Sequence, residues 1–175
     1  MYTIDAIILK KEPSGEADCM ITALTGRFVK IRLLAQGARK VEAKLKGHLE
    51  PISFSRLSFV VGRNGYRLVG AELLDFFQNI KNDPDRIRTA AEMVRLLDRA
   101  LFEDTSGQNS GFFTLSRDAF LALNDPVQNK EECGRVFSLF KAGFLNEFGL
   151  LSPAFFEKDS SKSDKSTFLN VDKVP

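Results

Sequence analysis

The sequence predicts a β + α fold, in which a small module of five strands is followed by a helical module. In the first 72 residues, short apolar runs alternate with polar residues at the period of a strand. The pair Asn64-Gly65 separates two such runs and is typical of a tight hairpin turn. After Leu73 the apolar residues recur at helical spacing instead. We therefore expect a small barrel or sandwich at the N-terminus and packed helices after it.

Five segments of the N-terminal module are predicted to be strands. They lie within residues 2–10, 19–25, 30–37, 55–62 and 66–73. Because successive side chains of a strand point to opposite faces, Lys30 and Arg32 are expected to share the face opposite the core residue Ile31. Between the third and fourth strands, residues 41–46 could form a short helix.

Three or four helices are predicted for the rest of the chain. The first begins at Asp83-Pro84, because aspartate is a favoured N-cap and proline a favoured first helical residue. The second covers about residues 111–124, and the third covers about residues 129–148 with Gly149 as its C-cap. One apolar stripe of the third helix comprises Val136, Phe137, Phe140, Phe144, Leu145 and Phe148.

These elements divide the chain into a β domain at residues 1–78, a helical domain at residues 79–156 and a tail at residues 157–175. The tail is polar and of low complexity, which predicts disorder.

Positive charge is concentrated in the β domain. Residues 1–72 contain 12 Lys and Arg against 7 Asp and Glu, whereas the remainder contains 13 against 16. Within residues 27–67, ten basic residues accompany only two acidic ones. A field of one sign favours a polyanionic partner, nucleic acid or anionic lipid, although scattered lysines commonly do no more than solvate a surface.

Cysteine content and hydropathy argue against several protein classes. Cys19 and Cys133 are far apart and belong to no C-x-x-C pair, so neither a disulfide framework nor a zinc site is predicted. The first 13 residues have too short an apolar run for a signal peptide and are interpreted as a strand. No apolar run approaches the length of a membrane span. We expect a protein of the reducing cytoplasm.

Residues for catalysis are scarce. His48 is the only histidine, and beside Lys46 in a basic loop it is interpreted as a surface residue. Glu16 and Asp18 could support a metal-dependent nuclease or phosphodiesterase, but such an isolated pair is usually a feature of a turn or a cap. No glycine-rich phosphate loop is present. The expected function is therefore non-enzymatic, without cofactor or metal.

Nucleic-acid binding is better supported by the residues. A five-stranded barrel exposes one strand face and its flanking loops. Eight basic residues are predicted to lie around one such side and to bind phosphates: Lys30, Arg32, Arg39, Lys40, Lys44, Lys46, Arg56 and Arg67. Few aromatic residues are interleaved with them, so the contact should be dominated by phosphate and indifferent to base sequence.

The Phe-rich helical part suggests a second, protein-binding surface. Sixteen phenylalanines and no tryptophan most simply form a packed core. Phenylalanine pairs occur at residues 76–77, 112–113 and 155–156, and one ring of each pair is expected to lie off the core face. Exposed rings near Arg117, Arg135 or Lys141 could accept a peptide that carries acidic and aromatic residues. A protein-interaction adaptor whose basic face binds an acidic protein is therefore an open alternative.

Several segments resemble the N-terminal domain of the RecO family of bacterial recombination mediators. This resemblance covers residues 1 to about 80 and is carried by Gly15-Glu16-x-Asp18, Thr25, Lys30, Gly37-Ala38-Arg39-Lys40 and Leu49-x-Pro51. A looser similarity continues through Asp83-x-x-Arg86, Leu96-Leu97-Asp98 and Gly149-Leu150-x-x-Pro153. Many family members carry four zinc-binding cysteines beyond that point. This chain has none there, so zinc is not carried over.

The resemblance implies an oligonucleotide-binding (OB) fold, a five-stranded barrel, at residues 1–78, followed by an all-helical C-terminal domain. It implies a mediator that binds single- and double-stranded DNA, anneals complementary strands and assists RecA loading in recombinational repair. The implied partners are RecR and the C-terminal tail of single-strand-binding protein, which family members receive on the helical domain, with RecA as an indirect partner. A cytoplasmic, nucleoid-associated location without membrane contact is implied as well.

Overall fold

The computed structural model describes residues 1–38, 46–63, 65–103, 111–126 and 130–150. Of Lys46, only the backbone is described. The predicted tail, the predicted short helix of residues 41–46 apart from the backbone of Lys46, and the basic residues Arg39, Lys40 and Lys44 lie outside the described residues. Within them, the strands are β1 (Tyr2–Ser14), β2 (Asp18–Thr25), β3 (Val29–Ala35), β4 (Phe54–Gly62) and β5 (Gly65–Asp75). The helices are α1 (Gln78–Asn82), α2 (Pro84–Ala100), α3 (Gly111–Asn124) and α4 (Lys130–Glu147), and a 3-10 turn covers Lys46–His48. The β + α prediction is confirmed.

The five strands close into a barrel in the order β1-β2-β3-β5-β4. Neighbouring strands are antiparallel except β3 and β5, which pair in parallel through two residue pairs only. The predicted hairpin is present, with Gly62 opposite Gly65 at its tip. The alternation of β3 is confirmed, because Ile31 and Leu33 point into the barrel and are almost completely buried.

Four aromatic rings pack together within the barrel. Phe59 is stacked on Tyr2 at 5.4 Å between centroids, and Phe28 contacts Phe59 at 6.0 Å and Tyr66 at 6.1 Å. The guanidinium of Arg27 lies over the rings of Tyr2 and Phe28, at 5.5 and 5.3 Å. Cation–π contacts of this kind hold an exposed arginine against an aromatic surface.

The ends of two helices agree with their sequence signals. The Asp83 carboxylate accepts hydrogen bonds from the backbone N–H groups of Asp85 and Arg86, at 2.9 and 3.0 Å, and these bonds lower the pKa of Asp83. At the end of α4, Gly149 adopts a φ of 69°, and the N–H of Leu150 donates to the carbonyl of Leu145. This is the six-residue closure in which glycine is favoured because it has no Cβ.

The barrel and the helices share one hydrophobic cluster. Ile7 and Leu9 on the outer face of β1 are buried in one cluster with Phe77, which precedes α1, and with Phe120 of α3. An irregularity between Ile8 and Lys10 places Leu9 as an extra residue in β1. Both faces of β1 are therefore buried over residues 6–9. The boundary proposed at residue 78 falls where α1 begins, yet the hydrophobic contacts continue across it.

Some side chains lie differently from their predictions. Leu145, assigned to the buried stripe of α4, is 41% exposed, whereas Phe140 and Phe144 are buried as expected. His48 is not a plain surface residue: it is half-buried, and its Nδ1 accepts a hydrogen bond from the N–H of Leu73 at 3.0 Å. Both cysteines are buried.

A buried arginine joins α2 to the end of α3. Arg86 is 6% exposed, and its guanidinium donates to the carbonyl oxygens of Leu123, Asp125 and Pro126. The last carbonyls of a helix have no partner within the helix, so a cation at this point satisfies them and the helix dipole together.

Replacing Arg86 with Ala is expected to lower the free energy of unfolding by about 2–3 kcal/mol, because the carbonyl oxygens at the end of α3 lose a charged donor. Urea denaturation followed by circular dichroism measures the change. The matched control is Arg88→Ala on the same helix, where an exposed side chain pairs with Asp85 at 3.3 Å. Its loss should cost below about 1 kcal/mol. Equal stability of the two variants would contradict the capping role.

Candidate nucleic-acid interface

Three basic side chains point outward from the barrel, one on each of the strands β1, β3 and β5. Lys10 is opposite Thr22, and Thr22 is opposite Arg32, so these three residues form one row across the sheet. The next row on this face contains Met20, Leu34 and Arg67. We call these six residues the basic face. Lys10, Arg32 and Arg67 are exposed.

Two of the three cations of the basic face have an acidic partner among the described residues. Lys10 pairs with Glu12 at 2.9 Å, and this hydrogen bond raises the pKa of Lys10. Arg32 lies 3.6 Å from a carboxylate oxygen of Glu103, and both side chains are about half exposed. Surface pairs of this kind contribute little stability, so a phosphate can replace the carboxylate at small cost. No ion pair of Arg67 occurs among the described residues.

The structure places Lys30 differently from its prediction. Lys30 shares a strand face with Arg32, but the end of α2 covers its part of that face, and the side chain is buried. Its ammonium donates to the carbonyl oxygen of Asp98 at 2.6 Å and lies 3.4 Å from the Asp98 carboxylate. Lys30 is therefore not exposed as predicted. Its ammonium instead joins strand β3 of the barrel to Asp98 of α2.

Arg56 does not lie beside the basic face either. It stands on β4, whose hydrogen-bonded neighbours in the barrel are β1 and β5. Its guanidinium donates to Asp5 at 2.8 Å and lies 3.7 Å from Glu72. Arg56 and Arg32 were predicted to lie on one side of the barrel, but β5 separates their strands and the carboxylates of Asp5 and Glu72 flank Arg56.

The remaining predicted residues belong to the loop between β3 and β4. Arg39, Lys40 and Lys44 lie outside the described residues, and the side chain of Lys46 is not described. The two ends of this loop are well defined. Gly37, with a φ of 67°, donates its N–H to the Asp18 carboxylate at 2.7 Å, and the loop re-enters the barrel at the 3-10 turn. The loop thus leaves from the end of β3, the strand that carries Arg32.

The carboxylate of Asp18 has a structural role. Its bond to Gly37 ties the β1–β2 turn to the end of β3, while Glu16 lies exposed in that turn. Among the residues that the structure describes, no group of three or more His, Cys, Asp or Glu side chains is arranged to hold a metal ion. No described helix is long and apolar enough to cross a membrane.

A groove of about 230 Å³ lies between α3 and α4. It is lined by Leu115, Asp118, Ala119, Ala122, Val136, Leu139 and Phe140. The three predicted peptide-binding residues are near it in sequence but do not line it. Arg117 pairs with Asp118 at 3.1 Å, Lys141 lies 4.6 Å from the centre of the Phe137 ring, and Arg135 is exposed.

The double-phenylalanine prediction is only partly right. Phe77 and Phe112 are buried, but their neighbours also pack: Phe76 lies under the ammonium of Lys81 at 3.4 Å, and Phe113 contacts Phe54 at 6.2 Å. Residues 155–156 lie outside the described part.

Lys10 was missed by sequence reasoning, because only the strand pairing shows that it is in one row with Arg32.

Residues 1–77 match the family model described as "Recombination protein O N terminal". The chain is 34% identical over 126 residues to a DNA repair protein RecO of Roseiflexus sp. (strain RS-1), an alignment that covers 71% of this chain and 43% of the relative. It is 33% identical over 144 residues to the RecO of Desulforamulus reducens, covering 82% of this chain and 55% of that relative. A third RecO, from Thermodesulfovibrio yellowstonii, is 30% identical over 128 residues, covering 73% and 50%. The chain therefore spans about half the length of these relatives.

Proposed function

The chain belongs to the RecO family of DNA repair proteins through its N-terminal domain, and from this premise we propose that it acts as a recombination mediator. In this role it binds single- and double-stranded DNA without sequence preference, anneals complementary strands and assists the loading of RecA on DNA covered by single-strand-binding protein. The observation that carries the proposal is the row of Lys10, Thr22 and Arg32, with Arg67 one row further along.

The basic face suits phosphate binding for electrostatic reasons. Two DNA strands repel each other through their phosphates, and cations that neutralise phosphates of both lower the cost of bringing them together. Base pairing then supplies the specificity, so the protein needs no contact that reads sequence. Annealing by this means breaks no covalent bond and requires no catalytic residue. We therefore propose a binding protein and not an enzyme.

The helical part is proposed to recruit protein partners. The groove between α3 and α4 is apolar, with Asp118 on its lining and Arg117 and Arg135 close to lining residues in the chain. An acidic peptide with an aromatic residue, such as the tail of single-strand-binding protein, fits this combination of apolar lining and nearby cations. RecR is proposed as a further partner and RecA as an indirect one, in the cytoplasm at the nucleoid.

The protein is expected to anneal complementary oligonucleotides faster than they anneal alone, both in the presence and in the absence of single-strand-binding protein. If about six phosphates are contacted, the log–log slope of single-strand affinity against salt should be roughly −4. Fluorescence energy transfer between labelled strands measures annealing, and fluorescence anisotropy measures the slope. A flat salt dependence would refute phosphate binding.

An adaptor without annealing activity is the second candidate, favoured by the groove between α3 and α4. Such a protein would bind the tail peptide of single-strand-binding protein but leave the annealing rate unchanged. In the mediator proposal, labelled oligonucleotide and tail peptide bind independently, because the basic face and the groove lie on different elements. In the adaptor proposal, the basic face is occupied by an acidic protein surface, so labelled DNA should show no tight binding.

A further inference from the structure

Two short side chains leave space between α3 and α4. Ala119 and Ala122 line the groove on α3, and Leu139 lines it on α4. Closer to the end of α4 the two helices touch instead, since a Cβ at Gly143 would lie 2.6 Å from the side chain of Leu115. The groove therefore begins at this contact and extends towards the start of α4.

The groove presents apolar surface with cations beside it. Leu139 is 53% exposed, and Asp118, the charged residue of the lining, is paired with Arg117 at 3.1 Å. Arg135 is exposed and precedes Leu139 by one turn of α4, so the two lie on the same side of the helix. Exposed apolar surface of this kind marks a place where another segment binds. A matching segment has apolar side chains for the lining and negative charge for the start of α4.

The chain itself contains a segment with this chemistry shortly after α4. Phe155 and Phe156 are followed by Glu157 and Asp159. Aromatic rings can cover the apolar lining, and carboxylates can pair with a guanidinium beside it. Phe168 is the one other aromatic residue after residue 150, and it is followed by Leu169 and Asn170 instead of acidic residues.

The length of the chain allows this segment to reach the groove. Along the axis of α4, Leu139 is about 16 Å from Leu150, and Arg135 is about 6 Å farther. Six extended residues span up to about 20 Å, which is enough to carry Phe156 from Leu150 back to Leu139. Glu157 then comes next to Arg135. Rings and carboxylates thus meet apolar lining and cation in a single register.

We propose that Phe155 and Phe156 of this chain occupy the groove between α3 and α4, with Glu157 and Asp159 beside Arg135. The inference rests on the proposed use of this groove as a peptide site. A segment tethered by a few residues has an effective concentration in the millimolar range, so even a weak fit keeps the groove occupied. A free acidic peptide with an aromatic residue must displace this segment before it can bind.

A tryptophan probe tests the contact directly in the full chain, because the chain contains no tryptophan of its own. Indole emission moves to shorter wavelength when the ring leaves water. We expect Phe156→Trp or Phe155→Trp to emit at shorter wavelength than the matched probe Phe168→Trp in the same tail. Equal emission from all three probes, or the shorter wavelength at residue 168, would overturn the assignment.

A charge placed in the groove locates the contact. Combined with the probe at residue 156, Leu139→Glu is expected to move the emission to the wavelength of the probe at residue 168, because it puts a carboxylate where rings and acids bind. The matched control is Leu121→Glu on α3, 47% exposed and not part of the lining, which should leave the emission unchanged. Equal effects of both substitutions would place the ring elsewhere. Circular dichroism checks that each variant is folded.

Peptide binding separates this inference from the proposed function. Replacing Phe155 and Phe156 with Ser should let the tail peptide of single-strand-binding protein bind about 10-fold more tightly, because its competitor is gone. Unchanged peptide affinity would overturn internal occupancy while leaving the groove as the peptide site. If neither chain binds the peptide but the probe still responds to Leu139→Glu, occupancy stands and the proposed partner fails. An emission shift that grows with protein concentration would assign the groove to the tail of a second copy and overturn the inference.

Discussion

Reversing the four basic residues of the β3–β4 loop, Arg39, Lys40, Lys44 and Lys46, to Glu is expected to abolish strand annealing. The change takes the formal net charge of the chain from +2 to −6 and places like charge where phosphates are proposed to bind. Each lost phosphate contact removes counterion release worth about 5-fold in affinity at roughly 0.1 M salt, so four contacts are worth several hundred-fold. Fluorescence energy transfer between complementary labelled strands measures the rate.

The loop variant needs two controls. Far-ultraviolet circular dichroism should be unchanged, since both ends of the loop are anchored by backbone contacts at Gly37 and His48 that the substitutions do not touch. The charge-preserving variant, in which Lys40, Lys44 and Lys46 become Arg, should anneal normally, because phosphate contact depends on charge at these positions. Annealing at the wild-type rate by the reversed variant would exclude the loop from the interface.

Replacing both Arg32 and Arg67 with Gln is expected to weaken DNA binding by about 25-fold at roughly 0.1 M salt and to make the salt slope shallower by about 1.4. These two side chains are the exposed arginines of the basic face, and each is proposed to contact one phosphate. The side chains keep most of their length and lose only charge, so the barrel should fold as before. Anisotropy titrations at several salt concentrations give both quantities.

A second double variant matches this one in charge. Arg56→Gln with Arg88→Gln also removes two exposed arginines, but Arg56 lies between Asp5 and Glu72, and Arg88 pairs with Asp85 on α2. Because neither stands on the basic face, affinity and slope should both stay close to wild type. If the two double variants lose affinity equally, net charge governs binding and no particular face is involved.

Local patterns predicted the strands and helices well, for a physical reason. Alternation in residues 30–37 reflects the geometry of a single strand, and Asp83-Pro84 begins a helix through contacts within one turn. Such signals depend on neighbours in the chain, so one sequence is enough to recognise them. The resemblance to the RecO family likewise rested on residues 1 to about 80, the part that the family model matches.

The candidate site was predicted less completely, because a strand face is shaped by distant segments. Lys30 and Arg32 stand on the same face of β3, yet the ammonium of Lys30 donates a hydrogen bond to Asp98, which lies 68 residues away in the chain. Arg56 of β4 donates a hydrogen bond to Asp5 of the neighbouring strand β1, which lies 51 residues away in the chain. Lys10 was not predicted as a site residue, since its place in one row with Arg32 follows from which strands become neighbours.

The order of strands and helices, the concentration of positive charge in the first domain and the family of that domain all follow from the sequence. Which basic side chains remain exposed, and which part of the barrel the helices cover, depends on the tertiary structure. Exposure is a property of packing between segments far apart in the chain, whereas periodicity and charge are properties of the chain alone.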